Sequence, residues 1–333
     1  MQHTRRNFTV KMTILAGSSA LLPAWGQNTA SAAALPADYP SKAVRYVVPF
    51  PAGGLTDVMA RLIGQKLSEA MKTSILIDNK PGANANLGAD FVAKAAPDGY
   101  TWLAVTLAHA VNASLFPSLP YSLEKNLVPV VHLATSPLVL VVNAGGAVKT
   151  LRDFLDHAKG NQLSGGSSGN GTPPHLGLEL LAGEAKITFT HIPYKGGAPS
   201  LNDLMGSQID FIVSNLPECA AFIKSGKLRA LAVTSAQRHA LLPDVPTFSE
   251  LGMPAMELEN WTGMMMPAGT PRAIIDRVAG LAARSAKSPE IADRVAAQGF
   301  TATGLGPAEF AAILQKDVAR WREVVKNRHI KPD

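Results

Sequence analysis

The sequence predicts an α/β protein of two similar units, each a parallel sheet covered by helices, joined by a hinge that the chain crosses twice. Three observations carry this. Short apolar runs alternate with amphipathic stretches between Val44 and Val105, which is the pattern of a parallel sheet covered on both faces. The alternation starts again after Pro137. From Pro271 onward the sequence reads as helical, and a helical tail with no sheet of its own must pack on an existing layer, most economically on the first unit.

The first strand, beginning at Val44, breaks at Pro49, turns through Gly53-Gly54 and meets a helix-start signal at Thr56-Asp57. Helix Thr56–Met71 carries Val58, Met59, Leu62, Ile63, Leu67 and Ala70 on one face. Strand Ser74–Asp78, helix Leu87–Ala95, the turn Pro97-Asp98-Gly99 and strand Tyr100–Val105 complete the first unit. The second opens with an apolar strand from Leu138 that ends in Gly145-Gly146. Helix Leu151–Lys159, the loop Gly165–Gly171, helix His175–Ala182 and strand Ile187–His191 follow. Next come the loop Tyr194–Gly197, with a helix from about Ala198, and strands Ile209–Val213 and Leu228–Val233. A Pro-rich passage, Leu242–Thr247, and the segment Glu257–Met266 lead back. Two tail helices complete the chain, the last with Pro307 in its first turn. The crossings fall near 138–143 and 257–264, and a double crossover suits a hinged clamp. The expected division is 38–139 with 262–333 as domain 1, and 140–261 as domain 2.

The strand–turn–helix from Val44 to Asp57 is a ligand cradle made of backbone. It aims unpaired N–H groups and the positive end of a helix dipole at one spot, which suits an anion. From Val47 to Asp57 it holds no Lys, Arg, His or Cys, so it favours binding over chemistry. Four Gly-rich loops recur between strand ends and helix starts: Ala52–Gly54, Gly82–Gly88, Gly165–Gly171 and Gly196-Gly197. Ligands of open parallel sheets sit outside the carboxyl ends of the strands, so loops of two units can face each other across a cleft. His109 falls where it can serve either as a cleft residue or as a hydrogen-bonded structural histidine.

Composition narrows the function classes. Thr4-Arg5-Arg6-Asn7-Phe8 and the moderately apolar Met12–Trp25 read as an export leader over residues 1–34, twin-arginine in type, with cleavage near Ala32–Ala34. The expected location is the periplasm. The leader carries Arg5, Arg6 and Lys11 and no acid, so its removal lowers the formal charge from +6 to +3. Lys and Arg are scattered without interleaved aromatics, which argues against nucleic acid. Cys219 is the single cysteine, so no intramolecular disulfide and no Cys cluster for zinc can form. The eight histidines include no convincing helical H-x-x-x-H pair, and no loop ends in the G-K-[ST] of a phosphate-binding loop. No metal and no cofactor are expected.

A rival motif is Gly165-Gly166-Ser167-Ser168-Gly169, which fits the G-x-S-x-G of a hydrolase elbow. Asp210 and His239 are available as partners for a Ser167 nucleophile. The elbow needs a helix directly after the serine, whereas Asn170–Pro174 intervenes.

Several blocks occur together in order: Pro49-Phe50-Pro51-Ala52-Gly53-Gly54-Leu55-Thr56-Asp57, Lys80-Pro81-Gly82-Ala83, Asn86-Leu87-Gly88, Pro97–Thr101, Pro193–Gly197, Gly226–Thr234, Leu242–Thr247 and Pro267–Pro271. In these the chain resembles the Bug, or TctC-type, family of periplasmic solute receptors over nearly its whole length beyond the leader. The resemblance implies two Rossmann-like α/β domains in a periplasmic-binding-protein (Venus flytrap) architecture. It also implies a monomer without enzymatic activity that grips a di- or tricarboxylate or an aromatic acid for a tripartite tricarboxylate transporter or a sensor. The site residues it implies are Phe50, Ala52, Gly53, Gly54, Thr56 and Asp57 on the first loop, and Ser167, Ser168, Gly169, Asn170, Gly171, Thr172 and His175 on the second. His109, Tyr194, Gly196, Gly197 and Ser214 complete the expected set. Where many members have Asp-Asn-Leu-Pro, this chain has Ser214-Asn215-Leu216-Pro217, which argues for a plain carboxylate rather than an amino acid.

Overall fold

In the computed structural model, residues 38–328 and 330–332 are described. The expected leader, including Arg5, Arg6 and the Ala32–Ala34 cleavage region, lies outside the described residues.

The first half begins β1 (Val44–Val48), α1 (Leu55–Met71), β2 (Ile75–Asn79), α2 (Asn86–Ala93), β3 (Thr101–Thr106), α3 (Leu107–Leu115) and α4 (Leu123–Asn126). β1 lies between β2 and β3, parallel to both. α1 ends because Lys72 takes a left-handed conformation, φ 52°, and returns its N–H to Ser68 O, a common helix stop.

β4 (Leu127–Asn143) is one strand of 17 residues. Up to Pro137 it pairs antiparallel with β9 (Glu259–Pro267), which in turn pairs with β3. From Leu138 it pairs with strands of the second half instead. Pro137 has no N–H to give to a ladder, and the change of partner falls directly after it.

The second half contains α5 (Leu151–Gly160), β5 (Leu163–Ser167), α6 (Pro173–Ala185), β6 (Phe189–Pro193), α7 (Gly197–Met205), β7 (Phe211–Asn215), α8 (Leu216–Lys224) and β8 (Leu228–Val233). β5 lies between β6 and β7, parallel to both. β7 and β8 pair antiparallel with β4. The chain returns through residues 234–258 to β9. Thr234 ties the crossings together, since its Oγ1 accepts Leu138 N–H at 2.8 Å and its carbonyl accepts Leu258 N–H at 3.0 Å. The tail then supplies α9 (Arg272–Lys287), α10 (Pro289–Ala296), β10 (Thr301–Leu305) and α11 (Pro307–Asn327) to the first half.

The core follows these layers. One face of the first sheet buries Tyr46, Trp102 and Met264 beneath α1 and α9, through Ile63, Leu67, Ile274 and Val278. On the other face a cluster continues through the hinge, from Val105 and Trp321 to Leu138, Phe211, Phe154 and Leu176. A third cluster seats α7 and α8 on the second sheet through Leu201, Leu204, Leu216 and Cys219.

The architecture is the two-unit α/β fold expected from the sequence, with several corrections. Parallel pairing is confined to three strands in each half; the remainder is antiparallel, because β4, β8, β9 and β10 enter from crossings and tail. The tail is not wholly helical, for β10 pairs with β4. Helices α3 and α8 and the first part of β4 stand where no element was expected. Gly165-Gly166-Ser167 is strand, not loop: Cβ atoms at 165 and 166 would crowd Phe211, Phe189 and Ile209, so glycine lets this strand lie under aromatic neighbours.

Candidate functional site

The first loop is shaped from within by Asp57. Its Oδ2 accepts Gly53 N–H and Arg61 Nε, each at 2.9 Å, and its Oδ1 accepts Asn79 Nδ2 at 2.9 Å. The same amide of Asn79 donates to Phe50 O at 3.1 Å. Burial alone would raise the Asp57 carboxyl, but Arg61, Gly53 N–H and Asn79 outweigh it and hold the group below the ordinary aspartate range. Gly53, at φ 81°, makes the turn, in a region that side chains rarely enter. Gly54 N–H goes to Pro51 O at 3.3 Å, and no side chain caps α1. The first-turn N–H groups of Leu55, Thr56 and Asp57 are therefore open, as helix geometry leaves them. The Asp57 carboxylate faces into the loop rather than toward a ligand.

His109 stands beside this loop, its ring 6.1 Å from that of Phe50 and edge-on. It is fully buried on the first turn of α3. Thr106 N–H lies 3.1 Å from Nδ1. A backbone N–H can only donate, so Nδ1 accepts and the neutral ring carries its proton on Nε2. Burial lowers the imidazole to about 4, against the pull of Thr106 O, 3.3 Å from Nδ1, and this keeps it neutral. Nε2 has no partner among the described residues.

In the second half, Ser167 closes β5 and the loop Ser168–Thr172 follows. Thr172 Oγ1 donates to Gly169 O at 2.6 Å, and Ser168 Oγ donates to Thr172 Oγ1 at 3.2 Å. Gly169 and Gly171 have φ of 126° and 70°. Gly171 N–H donates to His175 Nδ1 at 3.0 Å, and the His175 ring stacks on His191 at 4.0 Å. α6 begins with Pro173 and Pro174, which have no N–H, so the second helix N-terminus offers far fewer donors than the first. The neighbouring loop compensates: Gly196 N–H donates to Ser168 O at 3.3 Å, and Gly197 opens an uncapped α7.

Two expected residues sit differently. Tyr194 gives its hydroxyl to Asp203 Oδ2 at 2.7 Å. Ser214 is buried within β7, opposite Val139 of β4, and its hydroxyl is directed to Asn215 O at 3.4 Å.

Several residues not singled out from the sequence bring the halves together. Ala83, Asn84 and Ala85 all have positive φ, and this turn presents Asn84. Its Nδ2 donates to Asn112 Oδ1 at 2.8 Å and to Asn170 O, across the halves, at 3.4 Å. A Cβ at Gly171 would overlap Leu115. Asn260 of β9 donates to Asn215 Oδ1 of β7 at 3.1 Å. The asparagine-rich run from Asn84 to Asn86 was the sequence signal available for the first contact.

The hydrolase constellation is not assembled. Ser167 is buried in a strand, and its Oγ lies 2.7 Å from His191 Nε2 rather than near His239. Asp210 binds Ser164 through Oδ2, at 2.7 Å to N and 2.8 Å to Oγ. His239 accepts Leu241 N–H. Burial and His175 lower His191 to about 4, so it is a neutral partner of Ser167. Among the described residues no group of three or more His, Cys, Asp or Glu is arranged to hold a metal ion.

The profile of the tripartite tricarboxylate transporter family receptor, TctC, matches residues 59–330. The chain is 34% identical over 292 residues to protein BugT of Bordetella pertussis, covering 86% of this chain and 90% of that one. A solved Rhodopseudomonas palustris protein with adipate is 33% identical with a TM-score of 0.82; the match covers 89% of this chain and 100% of that one. MatC from Rhodopseudomonas palustris with bound malate is 30% identical with a TM-score of 0.78, covering 86% of this chain and 99% of that one.

Proposed function

Because the chain belongs to the tripartite tricarboxylate transporter receptor family, whose members are periplasmic solute-binding receptors and not enzymes, we propose that it captures a small carboxylate in the cleft between its halves. The observation that carries this is the first turn of α1, uncapped and with Asp57 turned inward. One carboxylate group of the ligand docks on the N–H groups of Leu55, Thr56 and Asp57, where the helix dipole adds about 0.3–1 kcal/mol, and more if partly buried. His109 Nε2–H is a second donor, and Phe50 is the apolar wall. The opposite end of the ligand meets the Ser168–Thr172 loop, His175 and the Gly196-Gly197 turn. Asp57, Ser167, Tyr194 and Ser214 serve by shaping these loops, while Ala52, Gly53 and Gly54 give them their path.

Domain 1 is 38–139 with 262–333 and domain 2 is 140–261, in keeping with the change of β4 partners near Pro137 and the return at Leu258. The chain is exported to the periplasm as a monomer, with cleavage near Ala32–Ala34, and hands its ligand to a membrane transporter or a sensor. Relatives solved with adipate and with malate guide the choice of ligands.

Native mass spectrometry of freshly purified protein, followed by thermal-shift assays with adipate, malate, citrate and benzoate, tests the reading. A ligand that binds only the folded state raises Tm by mass action. Absence of any bound small acid together with no shift from the panel overturns it.

A further inference from the structure

Glu218 is a half-buried acid, one of whose carboxyl oxygens is enclosed, that carboxylate capture, as described, does not use. It lies in the first turn of α8, just past the end of β7. Its carboxyl rests on the first residue of α7, since a Cβ at Gly197 would overlap Oε2. The Asn215 side chain stands near the carboxyl and lowers it against burial, and Asn215 accepts from Asn260 of β9 at 3.1 Å. Oε2 is closed off from solvent without a partner among the described residues, as is Oδ1 of Asn260. A buried polar oxygen left unpaired is costly, so one left open points to a partner that arrives.

The location is the ligand side of the second half. α7 opens at the carboxyl end of β6, beside Ser168, with no side-chain cap; the N–H groups of Gly197 and Ala198 are open there. Other titratable groups on the surrounding elements are Cys219 on the same helix, Tyr194 and Asp203, bonded to each other, Lys195 in the same loop, and Glu259 next to Asn260. None forms an ion pair with Glu218 among the described residues. Burial pushes the Glu218 carboxyl up to about 7, with Asn215 pulling the other way.

We propose that Glu218 is a proton-carrying specificity residue: held between Gly197 and Asn215, it donates a hydrogen bond from Oε2 to a carboxylate oxygen of the ligand seated at the α7 N-terminus. This rests on the reading of the chain as a carboxylate receptor. Ionised, Glu218 repels that carboxylate; neutral, it binds it. Capture therefore draws one proton from solvent when Glu218 starts ionised.

Titration calorimetry with adipate, malate, citrate and benzoate at pH 6 and pH 8, in two buffers of different ionisation heat, tests the proposal. Whichever acid binds is expected to bind about tenfold more tightly at pH 6 than at pH 8, as a required protonation near 7 dictates, with proton uptake at pH 8. Glu218→Gln, which keeps a donor and the shape, is expected to bind alike at both pH values. Equal wild-type affinity at both pH values without proton uptake overturns the role of Glu218 and leaves the receptor reading standing. So does a pH dependence that persists in the variant. Failure of every acid to bind at either pH overturns both. The wild-type proton count is independent of how the variant folds.

Discussion

Asp57 and His109 are polar groups of the first loop with opposite fates. Asp57 is fully engaged, so Asp57→Ala is expected to release Gly53, Asn79 and Arg61 together, lowering Tm by several degrees, on the order of 1–3 kcal/mol, and weakening carboxylate binding. Because its folded pKa is depressed, its contribution is present above the ordinary aspartate range and is lost as pH falls through the folded value. A Tm that is unchanged in Asp57→Ala at pH 7 refutes this account of the loop. His109 keeps a donor in reserve. His109→Phe preserves the ring and removes Nε2–H, so carboxylate affinity is expected to fall roughly ten- to hundredfold, the range for a hydrogen bond to a charged group. Unchanged affinity would leave His109 as a helix cap alone. The imidazole is lowered to about 4; its stability is full above the unfolded value near 6.5 and is lost as pH falls through 4. The variant is therefore expected to lose less Tm than wild type between pH 7 and pH 5, by on the order of 2 kcal/mol. Glu218 has the opposite sign. Its neutral form favours folding, and that contribution declines as pH rises from 4.5 through about 7, so Glu218→Gln is expected to raise Tm over wild type at pH 8 and not at pH 4.

At the scale of elements, what was legible followed from strong local patterns. β1, α1, β3, β8 and α11 lie where apolar periodicity and Gly or Pro punctuation set them, within a residue or two at the ends. The elements that were missed owe their conformation to distant partners. β10 is Thr-Ala-Thr-Gly-Leu, too polar to announce a strand, and it exists because β4 offers an edge. α3 is buried almost all round and has no amphipathic stripe to read, and α8 follows β7 without a turn. The site shows the same division. Backbone cradles were legible because glycine and helix starts are local, whereas Asn84, Asn260 and the orphan oxygen of Glu218 acquire meaning only from chain segments far off in sequence. The pairing of the 168–172 loop with Leu115 gives an element-level test. Gly171→Ala is expected to push the loops apart and cut carboxylate affinity about tenfold or more, because its Cβ overlaps Leu115 and its φ is positive. Adding Leu115→Ala is expected to recover part of the loss; no recovery assigns the whole effect to backbone strain.

Across the whole molecule, β4 and the return from Leu258 into β9 are the two chain crossings that join the halves, and the Thr234–Leu258 hydrogen bond lies beside them. Small-angle scattering with and without a bound acid is expected to show a smaller radius of gyration on closure; an unchanged value with saturating ligand would mean that capture needs no rotation. The shared strand also orders events in time. The second half is complete once β8 and the following passage to Leu258 have been made, since every strand paired with β4 beyond Leu138 has then been synthesised. The first half still lacks β9, α9, β10 and α11. The portion begun first is thus the portion finished last: until the segment from Glu259 onward emerges from the ribosome, β3 and half of β4 wait with exposed edges, the species that aggregation and holding chaperones compete for.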